Sequence, residues 1–473
     1  AREHILLTPG GATMSGKRSG LRRFFVVVGV LTLVVPLLLA WAGPVSAATR
    51  CVKVGGGGGC FASIQAAVNA ANGGDVIEVY PGIYDESVNL STMNSVGSLT
   101  LVTVNNAGVP TPGTVTVHYS GQEAELFTTP PLNGDLTIDG FIVHSAYPGV
   151  EVAVDGGPGA NRNVVIRNVT ATETEDCGIV VSADGNVTIS ECTASNNEES
   201  GIRVLDVGGD VVISDCTTSG NWQSGIWLSR VAGAATIRNC TAEGNENGFT
   251  ADALSGSLKI ESCVASANES GVWFDELTEA DEVLVNGSII CDNASYGLYA
   301  DSTATIDAEG NWWGCAEGPG YLGCDSVNPG PPTVDFDPWI DTITASAPAS
   351  AMAGEPAAVT FQFSDSWRTV FLGQGPGDLR GPAPFTVSTD NGTLNGNGAT
   401  VHEFINAPSG TLRVTLVPET AGTATVMVDG PCGLDAVAAL GAWEFVPEPG
   451  TMLLLGTGLM GLAGYAGLRL RKR

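Results

Sequence analysis

From Leu136 to Gly314 the chain is written in short runs whose apolar residues fall at every second position, and the runs themselves recur. Val187-Thr188-Ile189, Val211-Val212-Ile213, Ala235-Thr236-Ile237 and Leu258-Lys259-Ile260 are followed, three residues after the Ile, by Cys192, Cys216, Cys240 and Cys263, a period of 23 or 24 residues. Eight positions after the same Ile stand Asn197, Asn221, Asn245 and Asn268, and eleven or twelve after it Gly201, Gly225, Gly248 and Gly271. Each Gly opens a second alternating run: Gly201-Ile202-Arg203-Val204, Gly225-Ile226-Trp227-Leu228, Gly248-Phe249-Thr250-Ala251 and Gly271-Val272-Trp273-Phe274.

Alternation of period two is the mark of a half-buried strand, and a fixed period too short to house helices predicts coils stacked in parallel, each unable to bury its apolar face alone. The expected fold class is all-β, a right-handed parallel β-helix solenoid, with weaker coils at Ile138, Ile166, Val285 and Ile306. Equivalent residues then sit about 4.8 Å apart on successive coils, so the repeat predicts ladders of like side chains. Stacked Asn amides can hydrogen-bond along the axis, which gives Asn197 to Asn268 a structural role. Cys192, Cys216, Cys240 and Cys263, pointing the same way on parallel strands, are poorly placed for a disulfide torsion and read as small buried hydrophobes. Local bridges are expected between Cys51 and Cys60 and between Cys315 and Cys324, with the pairing of Cys177, Cys291 and Cys432 open.

Upstream, Phe61, Ile64, Ala67, Val68 and Ala71 form one helical stripe, ended by Asn72-Gly73-Gly74 and followed by strand Asp75-Val76-Ile77-Glu78-Val79. That helix can plug the open end of the stack. The segments Ile64-Gln65-Ala66-Ala67, Gly74-Asp75-Val76-Ile77 and Pro81-Gly82-Ile83-Tyr84 resemble the opening coil of pectin-lyase-like β-helices. The resemblance continues to Asn311-Trp312-Trp313-Gly314, Gly318-Pro319 and Pro338-Trp339-Ile340. Trp312 and Trp313 are expected to pack as an end cap. After this, Ala345 to Pro356 shifts to Ala, Pro and Thr, a linker or domain join. Alternating runs at Val359 to Phe363, Asn391 to Leu394, Leu412 to Leu416 and Gly422 to Val426 then suggest a small β-sandwich, similar to the bacterial Ig-like domains of invasin-type proteins.

The two ends carry targeting grammar. Met14 is the expected start, followed by the basic residues Lys17, Arg18, Arg22 and Arg23, an apolar run from Phe24 to Ala40, and Val45-Ser46-Ala47 for signal peptidase. At the far end Val446-Pro447-Glu448-Pro449-Gly450 precedes an apolar stretch from Thr451 to Leu468 and the basic Arg469, Arg471, Lys472 and Arg473, a transmembrane segment with a basic stop. This order closely resembles the PEP-CTERM sorting signal of Gram-negative bacteria, which implies export, a transient membrane anchor, and cutting near Pro447, Glu448 and Pro449 by an exosortase. The expected organisation is therefore 1–47 upstream residues and signal peptide, 48–340 β-helix, 341–445 Ig-like sandwich and 446–473 sorting tail.

Removing the ends alters the charge: 5 of the 20 basic residues precede Ala48 and 4 follow Gly450, leaving 11 against 49 acids. Such a body excludes nucleic acid and suits cations or neutral sugars. The pectin-lyase-like resemblance implies lyases, hydrolases and epimerases of acidic polysaccharides among its members. A lyase needs an Arg- or Lys-type base beside carboxylates, yet Arg162, Arg167, Arg203, Arg230, Arg238 and Lys259 are scattered, and His118, His144 and His402 stand alone. No catalytic residue is assigned. A two-carboxylate hydrolase stays open, because acids are abundant and their pairing in space is not legible from sequence.

Two ladders invite a sharper reading. Two residues before the repeat Gly stand Asp176, Glu199, Gln223, Glu246 and Glu269, an acidic edge that is either a solvated face or a calcium edge formed by Asp176, Glu199, Glu246 and Glu269. Two residues after it stand Val180, Arg203, Trp227, Thr250, Trp273 and Tyr299, pointing outward by strand alternation. Trp227 and Trp273, two coils or about 10 Å apart, suit stacking on sugar rings, unless a loop or the second domain covers them. Arg203, Trp227, Trp273 and Tyr299 are thus the candidate carbohydrate face. The preferred reading is a noncatalytic exported surface or extracellular-matrix protein that binds polysaccharide; the alternative is a polysaccharide lyase or glycoside hydrolase. A third reading, ice binding along Thr170, Thr193, Thr217 and Thr241, lacks a paired array.

Overall fold

The computed structural model describes residues 47–443 apart from 120–125, 129, 145–146, 156–160, 278–281, 329–333, 342, 364–384 and 404–410. The sorting motif at Pro447, Glu448 and Pro449, the apolar tail and the signal segment lie outside these residues. Among the described residues, no helix is long and apolar enough to cross a membrane.

Three parallel sheets run the length of a solenoid, and within each the strands follow chain order. The first has twelve strands, from Thr49–Val52 to Val334–Asp335, the second nine, from Gly82–Asp85 to Ile289–Cys291, and the third nine, from Val88–Asn89 to Tyr296–Asp301. Register is kept coil to coil: Ile138, Ile166, Ile189, Ile213, Ile237, Ile260 and Val285 are successive partners in the first sheet. In-pointing residues of all three sheets merge into one continuous core. The sharp corners use left-handed backbone: Asn168, Glu191, Asp215, Asn239 and Ser262 follow successive strands of the first sheet at φ between 53° and 57°, apart from Asn239 at 52°.

The amide ladder is continuous. Asn197 Nδ2 donates to Asn221 Oδ1 at 2.8 Å, Asn221 to Asn245 at 2.8 Å, Asn245 to Asn268 at 3.1 Å and Asn268 to Asn293 at 3.1 Å. Each Oδ1 also accepts the backbone N–H of the preceding rung, so both the amide side chains and the turn backbone at these positions are satisfied. Asp325 ends the file by accepting from Asn293. Cys192, Cys216, Cys240 and Cys263 are free and buried, each thiol facing the carbonyl two residues before it at 3.2 or 3.3 Å.

One end is closed by helix Ile64–Ala70, capped by the Ser63 hydroxyl and burying Ile64, Ala67 and Val68. Disulfides join Cys51 to Cys60, Cys315 to Cys324 and Cys291 to Cys432, and Cys177 is free. Trp313 is fully buried in the solenoid core, whereas Trp312 packs toward the C-terminal sheets.

Those sheets, of four and five strands, are antiparallel except where Ser350–Met352 runs parallel to Ala436–Trp443. They enclose a second core around Phe361, Phe385, Leu412, Val414 and Val426, compatible with a small β-sandwich. The stretch Ala345 to Pro356 is more than a linker: Ile343–Ser346 pairs with Ala357–Phe363 and Ser350–Met352 with Ala436–Trp443. Its small residues suit edge strands, where little side-chain area is buried on either face.

Candidate functional site

The outward file of the third sheet is built by register. Arg203 partners Trp227, Trp227 partners Thr250, Thr250 partners Trp273, and Trp273 partners Tyr299. The guanidinium of Arg203 lies 4.3 Å from the Trp227 ring centroid, and Trp273 stacks on Tyr299 with centroids 3.9 Å apart and planes 16° from parallel. Each Trp therefore has its face away from Thr250 occupied, and the faces toward Thr250 border an open groove of about 210 Å³. Its floor is Thr250, an outward residue only 8% exposed because the larger residues on both neighbouring coils rise above it. The Thr250 hydroxyl is tied to Ser224 Oγ at 2.7 Å.

Trp227 is held by an indole N–H donated to Asp252 Oδ2 at 2.8 Å. Asp252, Asp275 and Asp301 are partners on successive coils and sit two residues beyond Thr250, Trp273 and Tyr299, on the same outward face. Gln223, Glu246 and Asn247 line the opposite margin. Trp222, one residue before Gln223, is 71% exposed. Sequence alternation brings out the two Trp, but not Thr250 as a groove floor or Asp252 as the indole's acceptor. The signal for the carboxylates was the alternation itself, continued two residues further along each strand.

Trp227 and Trp273 are half-exposed. The described residues of the C-terminal sheets pack elsewhere, against Val264 and Ile289 of the second sheet and Trp312.

The acidic edge is divided. Asp176 and Glu199 come together with the thiol of Cys177, all three ligand atoms within 4.8 Å. Glu246 and Glu269 join no such group among the described residues. The Asp176 and Glu199 pair offers two carboxylates and a thiol, a poor set for calcium, which takes six to eight oxygens. Glu199 is moreover 3.8 Å from Arg203 and accepts the Cys177 thiol at 3.6 Å. Burial pushes that thiol up to about 12, so it stays protonated at neutral pH.

Residues 137–312 match the family model of the right handed beta helix region, and residues 445–472 match the PEP-CTERM protein-sorting motif. No curated protein matches the chain in sequence. Among solved structures it is similar to the Azotobacter vinelandii mannuronan C-5 epimerase AlgE6 A-module, with 15% identity over 52% of this chain and 70% of that one and a TM-score of 0.39. It is also similar to XylC in complex with xylose, with 11% identity over 83% and 100% and a TM-score of 0.39. A third likeness is to the enzymatically active domain of bacteriophage CBA120 tailspike protein 2, with 14% identity over 84% and 70% and a TM-score of 0.30. By its repeat, its three-sheet solenoid and these two sequence matches, the chain is a right-handed parallel β-helix with a C-terminal PEP-CTERM sorting motif.

Proposed function

We propose that this is a noncatalytic exported protein of the cell surface or extracellular matrix, processed by an exosortase, that binds polysaccharide through the groove between Trp227 and Trp273. The observation that carries this reading is two half-exposed indoles, two coils apart, with their open faces turned toward a small-residue floor. A pyranose presents apolar C–H faces to aromatic rings and hydroxyls to neighbouring carboxylates and amides, and the groove offers both. Repetition along a solenoid also suits a repeating ligand, because coil spacing keeps neighbouring contacts in step.

The test is binding of the purified full chain, in mild detergent, to an array of soluble and insoluble polysaccharides, with product analysis after long incubation. Binding without new products, lost in the Trp227→Ala/Trp273→Ala double variant, supports the reading. Release of shortened or unsaturated sugars would make the protein an enzyme of the same fold and overturn its noncatalytic part.

A further inference from the structure

Resting on the polysaccharide reading, we infer that the groove selects amino sugars in their charged form, binding a glucosamine-type polymer with its ammonium groups on the Asp252, Asp275 and Asp301 file. The aromatic groove alone would accept any pyranose. What surrounds it is one-sided in charge. Asp252, Asp275 and Asp301 stand on successive coils, about 4.8 Å apart by strand spacing, on the same outward face as the aromatic file. Glu246 lines the opposite margin. Asp275 and Asp301 make no ion pair among the described residues. Asp252 spends one oxygen on Trp227, and its other oxygen accepts no hydrogen bond among the described residues. Of the nearby cations, Arg230 grips both oxygens of Asp206 at 2.6 and 2.9 Å and is also within electrostatic reach of Asp252, while Arg203 lies over Trp227 and beside Glu199.

Stacked carboxylates with only Arg230 near one end of the file repel one another, and a ligand that brings a positive charge every few ångströms relieves that repulsion while its ring occupies the groove. A uronate chain would add negative charge to the same margin and is disfavoured. A bare divalent ion would neutralise the file but would leave the indole faces without a partner, so the combination of ring groove and acid file favours a ring that itself carries the cation.

The experiment compares, by titration calorimetry at about pH 5.5, where amines are charged and ordinary carboxylates ionised, a glucosamine hexamer, its fully N-acetylated counterpart, a neutral glucose hexamer and polygalacturonate. The full chain is expected to bind the glucosamine hexamer at least about tenfold more tightly than the acetylated one, with the preference fading as salt is raised. Asp275→Asn/Asp301→Asn, which leaves the Asp252 contact to Trp227 in place, should narrow the gap between the glucosamine hexamer and its acetylated counterpart, whereas Trp227→Ala/Trp273→Ala should weaken binding of all the hexamers. Equal binding of charged and neutral hexamers, or tighter binding of polygalacturonate, overturns the inference and leaves the polysaccharide reading standing. No binding of any sugar overturns both. Calcium binding that depends on Asp275 and Asp301, with no discrimination among sugars, also overturns it.

Discussion

Cys291, in the last strand of the second sheet, is bonded to Cys432, 141 residues further along the chain. Beside this bond the Trp312 indole donates to Cys432 O at 3.3 Å, and Val264, Ile289 and Leu434 share one apolar cluster. A cross-link closing a loop of 141 residues restricts the unfolded chain by roughly 5 kcal/mol in the chain-entropy treatment. Cys432→Ser should lower the melting temperature, and limited proteolysis should then cut the C-terminal sheets before the solenoid. An unchanged scan would mean that apolar docking alone holds the two cores together.

Asn245 is the middle rung of the amide ladder. Its Oδ1 accepts both the backbone N–H and the Nδ2 of Asn221, so Asn245→Ala strands two buried donors. At about 1–3 kcal/mol for each unsatisfied buried group, the expected loss is about 2–6 kcal/mol, read as a lower urea midpoint. A change below 1 kcal/mol would show that water replaces the missing acceptor.

Burial pushes the carboxyl of Asp325 up to about 6, against the opposing pull of its two hydrogen bonds from Asn293. A folded-state value above the ordinary 3.8 means that the contribution of this group is full below that value and is lost as pH rises through about 6. Asp325→Asn extends the ladder with a neutral amide and should stabilise the chain at pH 8 by up to about 3 kcal/mol, with the gain vanishing at pH 4. A gain of equal size at both values would assign it to packing instead.

Asp75 behaves in the opposite sense. Burial raises its carboxyl, but hydrogen bonds from the Asn72 and Ala48 amides and from Arg50, at 2.7 Å, outweigh this and hold it below the usual carboxylate range. Its contribution is present above the ordinary value of 3.8 and lost as pH falls through the lower folded value. Asp75→Asn should therefore cost stability at pH 7 and progressively less in acid. Thermal melts of the two proteins across that range check the convergence.

Thr250→Tyr would continue the aromatic file from Trp227 to Tyr299 without a break. The new ring should occupy the groove, abolish sugar binding and leave the melting temperature the same or higher, since cross-strand aromatic neighbours contribute about 0.2–1 kcal/mol. Retained affinity would move the binding surface away from this groove.

The coil period, the in-and-out alternation, the amide ladder and the register of Arg203, Trp227, Trp273 and Tyr299 were all determined by sequence, because in a solenoid each coil meets only its neighbours and the repeat spells out which residues face each other. Contacts that break the repeat belong to the tertiary structure. Thr170, Thr193, Thr217 and Thr241 form an outward file that turns into Val264 and Ile289 at the next two coils, where the C-terminal core docks. Only the folded chain shows what covers that apolar pair, and it brings Cys432 to Cys291. Likewise the groove exists because Thr250 lies low between two indoles and Asp252 holds one of them. Period and alternation assign each side chain a face of the sheet, while depth, hydrogen-bond partner and long-range neighbour depend on the volumes of residues packed around it.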